Sequence, residues 1–458
     1  MRVHFILLML ALIAWACQSS WYSEPEITFL NGNVLLPQIR FSTTDSVSVC
    51  IEYWPVHNTR LKHASKASLG KYHEVILVNL KPNTQYAYHL VNERGQTTSE
   101  EYTFTTDSVP GHIVRVKKDI IDTTLFNGYI LIRRFFKQGA DVLLNQNGDI
   151  VWYHEYDTAV RRAFSWTNNN TILSIYDSAR IMETDLLGNV ILDLDLEKLG
   201  LPYKVHHEVF YDPAGNIVTI THDSARYDLR KFGGEREQYL TADGILVLSR
   251  TGKIIWKWNL LQVEDPLQFK GKINLHENWG HANSIALDAD GNYLISFRDF
   301  NQVWKIDKNT GEVIWKFGEG GTLRPSDPQY NFIRQHSIHF NPRGELMMFD
   351  NGELKARPNS RVLSFQINER EHTVTPAIYI ELPRALSSYR MCSAEMIGEG
   401  RYLVCTTRKD ATVTVVNDSG QILWKITADN ASYRAYFIKN PFKNYIQAAT
   451  RSLATLPD

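Results

Sequence analysis

The sequence predicts an all-β protein, a six-bladed β-propeller preceded by a small N-terminal β-sandwich domain. Three observations predict it. First, a glycine-led strand recurs: Gly148-Asp-Ile-Val-Trp152, Gly188-Asn-Val-Ile-Leu192, Gly252-Lys-Ile-Ile-Trp256, Gly311-Glu-Val-Ile-Trp315 and Gly420-Gln-Ile-Leu-Trp424. Each follows a polar turn such as Asp307-Lys-Asn-Thr-Gly311. The glycine permits the positive φ of a hairpin turn, and β-branched residues with tryptophan suit the strand after it. The gap from Gly311 to Gly420 is about twice the others, so one degenerate copy lies between, as expected of an array of similar units. Arg361-Val-Leu-Ser-Phe-Gln-Ile-Asn-Glu-Arg-Glu371 fits that copy and makes six units. Second, each unit reads as four strands; in the fourth they are Ser284–Leu287, Tyr293–Phe297, Gln302–Ile306 and Val313–Phe317. A four-stranded sheet repeated at this period is a propeller. Third, no long amphipathic helix competes. An irregular pair of sandwiches is the remaining alternative.

A second repeat carries the chemistry. Asn331 to Gly352 reads as a hairpin, with strands at about His336–Phe340 and Glu345–Phe349 around Asn341-Pro342-Arg343-Gly344. The same unit surrounds Gly291 and Gly215. Seven residues after the turn glycine stand His222, Arg298 and Asn351, and eight before it stand His207, Asn283 and His336, with His281 two further back. A two-residue step along a strand keeps the same face. A hairpin also brings its open ends together. In a propeller the inner two strands of each blade line the channel, so these ends converge at one mouth. Any one of these histidines alone reads as a satisfied structural residue. Repetition at equivalent positions makes the set a candidate site.

The chain opens with a basic start, an apolar run and a small residue before Cys17. Residues 1–17 are therefore expected to be an export signal. Ala14-Trp15-Ala16-Cys17 resembles a loose bacterial lipobox, which would anchor the chain by lipid at Cys17; plain signal cleavage is the alternative. Either way the expected location is outside the cytoplasm, periplasmic or anchored at the outer membrane. Residues 25–107 alternate in strand fashion and form the N-terminal domain. Leu80-Lys-Pro82-Asn-Thr84-Gln-Tyr86-Ala-Tyr88 resembles the approach to a late strand of a fibronectin-like sandwich, where a tyrosine anchors a corner. Residues 114–458 form the propeller. Cys392 and Cys405 lie on two arms of one hairpin, where a bridge is one of the options. The net charge of −1, with no basic run, argues against a nucleic-acid partner.

The sequence has no G-x-x-x-x-G-K-[ST], no C-x-x-C, no H-E-x-x-H and no G-x-S-x-G. Nucleotide P-loop, helical zinc and serine-hydrolase chemistries therefore have no motif here. What remains is a pocket of His207, His281, His336, Arg298 and Asn283, with His222 a further candidate. Guanidinium forks and imidazole donors suit a tetrahedral oxyanion, and neutral imidazole is a nucleophile. Three histidines holding zinc is the runner-up; Arg298 would repel that cation.

The blocks H-H-E-V, W-G-H-A-N-S-I, S-F-R-D-F-N-Q-V-W-K-I-D, G-E-V-I-W-K-F-G, Q-H-S-I-H-F and F-D-N-G resemble the bacterial arylsulfotransferases. The resemblance implies an exported six-bladed propeller with a small N-terminal β-domain. It implies an enzyme that moves a sulfuryl group from an aryl sulfate to a phenolic acceptor, without nucleotide, cofactor or metal. It assigns His336 as the nucleophile that becomes sulfohistidine, His281 as acid–base partner and Arg298 as holder of the sulfuryl oxygens. Asn283, Asn351 and one of His206 and His207 would bind substrate, offset matching favouring His207. The family disulfide before the nucleophile is missing, since no cysteine lies between Cys50 and Cys392. The alternative function is a non-catalytic, surface-tethered propeller that binds sulfated or other anionic ligands.

Overall fold

The computed structural model describes residues 20–447 apart from 95, 96, 136, 137, 270–272, 354, 356, 409 and 430. The expected signal and Cys17 lie outside the described residues. Six four-strand antiparallel units form the propeller. Blade 2 is built from Phe164–Trp166, Ile172–Asp177, Arg180–Thr184 and Val190–Asp195, and blade 3 from Val205–Tyr211, Ile217–Tyr227, Gln238–Leu248 and Ile254–Asn259. Blade 4 contains Ala282–Leu287, Tyr293–Phe297, Gln302–Ile306 and Val313–Gly318. Blade 5 contains His336–Phe340, Leu346–Asp350, Arg361–Asn368 and Thr373–Glu381. Blade 6 contains Ser393–Gly398, Arg401–Thr407, Ala411–Val416 and Ile422–Ala428, with Val116–Ile120 added at its outer edge. Blade 1 is made from both ends of this region. Tyr129–Arg134, Ala140–Leu144 and Ile150–Glu155 receive Ala431–Ile438 as their innermost strand. The first strands of neighbouring blades touch in a closed ring around the channel.

The glycine-led repeat makes the outer strands and joins blades. Gly311 holds φ +77, and Asp307 Oδ1 accepts from the Asn309 and Thr310 N–H groups to close its turn. Trp152 Nε1 donates to Leu186 O of blade 2, Trp315 Nε1 to Glu369 Oε1 of blade 5 and Trp424 Nε1 to Gln146 O of blade 1. Each indole fills a seam between sheets and satisfies its one donor on the next blade's turn, as buried tryptophan requires. At the joint from blade 3 to blade 4 this role passes to Trp258, which donates to Gly311 O, while Trp256 stacks on Tyr293. The degenerate copy needs a correction. Arg361–Asn368 is the third strand of blade 5, and the outer strand is Thr373–Glu381, which has neither the leading glycine nor the tryptophan.

In the N-terminal domain, strands from Glu26–Phe29 to Tyr102–Thr105 form one continuous hydrogen-bonded network through the long strand Pro37–Pro55. That strand stays paired with Ser68–Ile76 across an irregularity between Ser42 and Val47, where the register shifts. The Tyr86 hydroxyl accepts from Lys81 N at 2.8 Å, which fixes the corner expected there. The chain leaves the propeller after Ile438, and Ile446–Gln447 pairs with His63–Ser65 of the N-terminal domain. Within the described residues the last propeller strand is thus Ala431–Ile438. Cys392 and Cys405 are free. Ser393, not Cys392, stands opposite Cys405, and the Cys392 thiol points to Arg390 O.

Candidate active site at the channel mouth

Three consecutive blades break their inner strand in the same way. The pairing with the second strand shifts between His206 and Val209 in blade 3, between Ala282 and Ser284 in blade 4, and between His336 and His339 in blade 5. His207, His281 and Ser337 take positive φ of 62, 48 and 56 at or beside these shifts. A bulge bends the strand and re-aims its side chains. Positive φ in non-glycine residues stores strain that clusters at functional sites. Here the bulges put imidazoles at the mouth of the channel.

His336 is 3% exposed and held on one nitrogen. Its Nδ1 lies 2.7 Å from Asn351 Oδ1 and 2.9 Å from Arg334 O, both acceptors. The Asn351 amide cannot turn over, because its Nδ2 donates to Ser388 O and Met391 O. Nδ1 therefore carries the proton, and Nε2 keeps its lone pair. The segment before it is fixed as well. Gln335 is fully buried, with Nε2 donating to Ser296 Oγ, Phe297 O and Gln302 O of blade 4. Asp350 accepts from Ile333 N and is paired with Arg357 and Arg361. Arg361 in turn donates to Gln329 O and Asn331 O.

Burial first, and the nearby Arg298 guanidinium next, lower the His336 pKa from 6.5 to about 3. The imidazole is thus neutral and nucleophilic at physiological pH. The unfolded chain binds this proton below about pH 6.5 and the folded chain does not until about pH 3. Stability must then fall as pH falls through that window, by about 1.4 kcal/mol per pH unit for one such group. Urea denaturation between pH 6.5 and 4 is expected to give a shallower pH slope for His336→Asn than for the wild type, by about one proton. Identical slopes would show that His336 is not held neutral.

The other expected residues fall into two groups. His207, His281 and Arg298 face His336 around a common floor. The His207 and His281 ring centroids are 5.5 Å apart, and the Tyr433 ring lies 5.9 Å from His207 and 6.4 Å from His336. His281 Nδ1 is 3.5 Å from Glu277 Oε2. Burial and Arg298 lower the pKa of His281, against the pull of Asp299, Asp243 and Glu277. Arg298 starts the short 3-10 turn Arg298–Phe300 after the second strand of blade 4. Its Nη1 contacts Asp299 at 3.1 Å, while its Nε is buried without a hydrogen-bond partner. The second group acts from behind. Asn283 is fully buried, and its Nδ2 donates to Gln335 O at 2.7 Å, so it positions the His336 segment. Asn351 orients His336 as described. His206 turns aside from His281 and His336. Its ring is 4.0 Å from that of His222, its Nε2 is 3.2 Å from Asp243 Oδ1, and its Nδ1 is 2.6 Å from His207 Nδ1.

Three contributors escaped the sequence reading. Tyr433 comes from the innermost strand of blade 1, which has no hairpin partner in sequence, so matching offsets around a turn glycine could not find it. Its neighbour Arg434 crosses to Glu208 with two 2.8 Å contacts and to Asn283 O, closing the channel beneath the histidines. Arg162, just before blade 2, adds its field to His207 and Tyr433. Beside Asn351 opens a cavity of 320 Å³ whose wall includes Ser388, Tyr389, Arg390 and Arg408. That cavity touches the site through Asn351 and none of the facing histidines lines it; the mouth itself combines a neutral, oriented imidazole with an unpaired guanidinium donor.

Comparison with known proteins agrees with this chemistry. The sequence pattern of the family described as Arylsulfotransferase (ASST) matches residues 121–434. The pattern of the purple acid phosphatase N-terminal domain matches residues 20–106, which makes that domain similar to one found ahead of another enzyme. No curated protein matches the chain. Solved structures similar to it include a protein of unknown function from Bacteroides caccae, at 13% identity, covering 69% of this chain and 100% of that one with a TM-score of 0.45. TolB from Acinetobacter baumannii matches at 9% identity over 79% of this chain and 81% of that one, TM-score 0.41. Virginiamycin B lyase from Staphylococcus aureus matches at 11% identity over 69% and 99%, TM-score 0.33. The family match spans more than half of the chain and takes in every blade that contributes to the mouth, and the chain belongs to the arylsulfotransferase family.

Proposed function

We propose that the protein transfers a sulfuryl group from an aryl sulfate to a phenol, in two steps through sulfohistidine at His336. The observation that carries this reading is the pinned Nδ1–H of His336 beside the unpartnered Nε of Arg298. In the first step the His336 Nε2 lone pair attacks sulfur, the S–N bond forms and the S–O(aryl) bond breaks. The donor's phenol departs as its phenolate. In the second step His281, held neutral by burial and Arg298, removes the proton of the acceptor phenol, whose oxygen attacks sulfur as the S–N bond breaks, and His281 then passes that proton to solvent. The two steps together return the enzyme to its starting state. Sulfuryl transfer resembles loose phosphoryl transfer, with charge on the equatorial oxygens, so Arg298 and the His207 ring supply the main stabilisation. The basic start and apolar run of residues 1–17 support a location outside the cytoplasm, with a lipid anchor at Cys17 or plain signal cleavage as the two alternatives.

The test is a chromogenic aryl sulfate mixed with the pure protein, with and without added phenol. The expected result is release of the coloured phenol that depends on acceptor, with parallel reciprocal plots as for ping-pong kinetics. No acceptor-dependent release over a varied set of donors would overturn the reading and leave an anion-binding propeller.

A further inference from the structure

We propose that His206, His222 and Asp243 bind one divalent transition-metal ion, with Asn278 as the fourth ligand, and that this ion fixes the tautomer of His207. The proposal concerns a second site beside the one that transfers the group and rests on four observations. The first is the donor set. Two imidazoles and a carboxylate have their ligand atoms within 4.8 Å of one another. They come from the first three strands of blade 3, which are rigidly paired. Nitrogen and oxygen donors of this kind suit zinc and its neighbours.

The second is spacing. Asp243 Oδ1 stands 3.2 Å from His206 Nε2 and 3.5 Å from His222 Nε2. A tetrahedral ion with bonds of about 2.0–2.1 Å has ligand–ligand edges of roughly 3.3–3.4 Å. The third is unmet bonding. Asp243 is fully buried, yet among the described residues no lysine or arginine pairs with it. His206 Nε2 is buried and makes no hydrogen bond. A buried charge without a counter-ion is costly, and a dication would neutralise it.

The fourth is Asn278. Its Nδ2 donates to His222 Nε2 at 2.8 Å and to Asp243 Oδ1 at 3.0 Å. The amide thus presents a weakly positive group where a cation would sit. Turning the amide end over presents Oδ1 instead, a ligand in the same place. The second oxygen of Asp243 is already taken by Ala282 N, so the carboxylate would bind through one atom.

The consequence reaches the active site through the outer nitrogen of His206. With the ion on Nε2, Nδ1 must carry the proton and donate to His207 Nδ1, 2.6 Å away. His207 then holds its own proton on Nε2. Ligand histidines are oriented through their second nitrogen in just this way, by donating its N–H to a neighbouring acceptor. Asn278 also ties the ion to the segment that carries Glu277 and His281. A second group of donors, Glu277, His281 and Asp299, lies equally close together. The Arg298 guanidinium stands 3.1 Å from Asp299 and 3.9 Å from Glu277 and already neutralises it.

The test uses the full chain stripped with a chelator, titrated with zinc chloride by calorimetry and with cobalt chloride by visible absorption. The expected result is one ion per chain and the intense visible bands of four-coordinate cobalt. His222→Ala is expected to weaken zinc by about 100-fold or more, while the exposed His276→Ala leaves it unchanged. Asp243→Asn gives the same loss if it folds, and His222→Ala decides the matter if it does not. Absence of stoichiometric uptake overturns the proposal. So does uptake that survives His222→Ala, or that is lost only in Asp299→Asn, which would put the ion at the other cluster.

Discussion

Replacing His336 with asparagine is expected to abolish turnover and, with it, a covalent adduct that the wild type forms with donor alone. Mixing wild type with an aryl sulfate and no acceptor should add one sulfuryl group, about 80 Da, to the intact mass, as covalent catalysis requires. Peptide mapping should place it on His336. The reason lies in the proton inventory. Nδ1–H is committed to Asn351 and Arg334, so Nε2 is the only nucleophilic atom of that ring. Asparagine keeps a polar group near Asn351 and removes the nucleophile. The fold should survive, because the ring faces the channel and not one of the hydrophobic clusters between blades. Activity above roughly a tenth of wild type would sink the covalent route, since loss of a true nucleophile costs far more. An adduct on His207 or His281 would keep the enzyme class and overturn the assignment of roles.

Arg298→Lys is expected to slow adduct formation by about 10²-fold or more. Lysine keeps the charge but loses the fork. In the structure Nη1 is spent on Asp299, which holds the guanidinium plane and leaves the buried Nε for the ligand. A lysine ammonium at this site would pair with Asp299 or Glu277 and present no second, rigid donor to a sulfuryl oxygen. Rapid-quench measurement of adduct formation isolates the step. A rate within threefold of wild type, roughly 0.6 kcal/mol at room temperature, would mean that charge alone suffices and that the fork has no part in the transition state.

Much of this was legible because a propeller repeats. A turn glycine at a fixed distance from the mouth converts sequence offset into position, so Gly215, Gly291 and Gly344 aligned three blades without coordinates. The outer-strand motif was legible as a strand, while the reason for its tryptophan, a single donor spent on the next blade, came from the structure. What offset could not give was direction at a bulge. His206 and His207 are adjacent, and the irregularity between His206 and Val209 sends one to the Asp243 cluster and the other to the funnel. Asn283 shares the register of His336 and His207, yet it turns inward to Gln335 O. The fifth blade hid its outer strand because Thr373–Glu381 closes its seam without the glycine or the indole. The cysteine pair failed by one residue of register.

The closing strand of blade 1 has a consequence for when the enzyme comes into being. Arg133 N donates to Ser432 Oγ across 299 positions of the chain. Contacts this distant form late, after the intervening segments have been made and their loop entropy overcome. Tyr433 and Arg434 ride on the same strand, so the floor beneath the histidines is laid by the event that seals the ring. A chain still being synthesised can stack blades 2 to 5, but it has no completed pocket. Birth of activity and topological closure are therefore one step, and an interrupted chain would be inert rather than partly active.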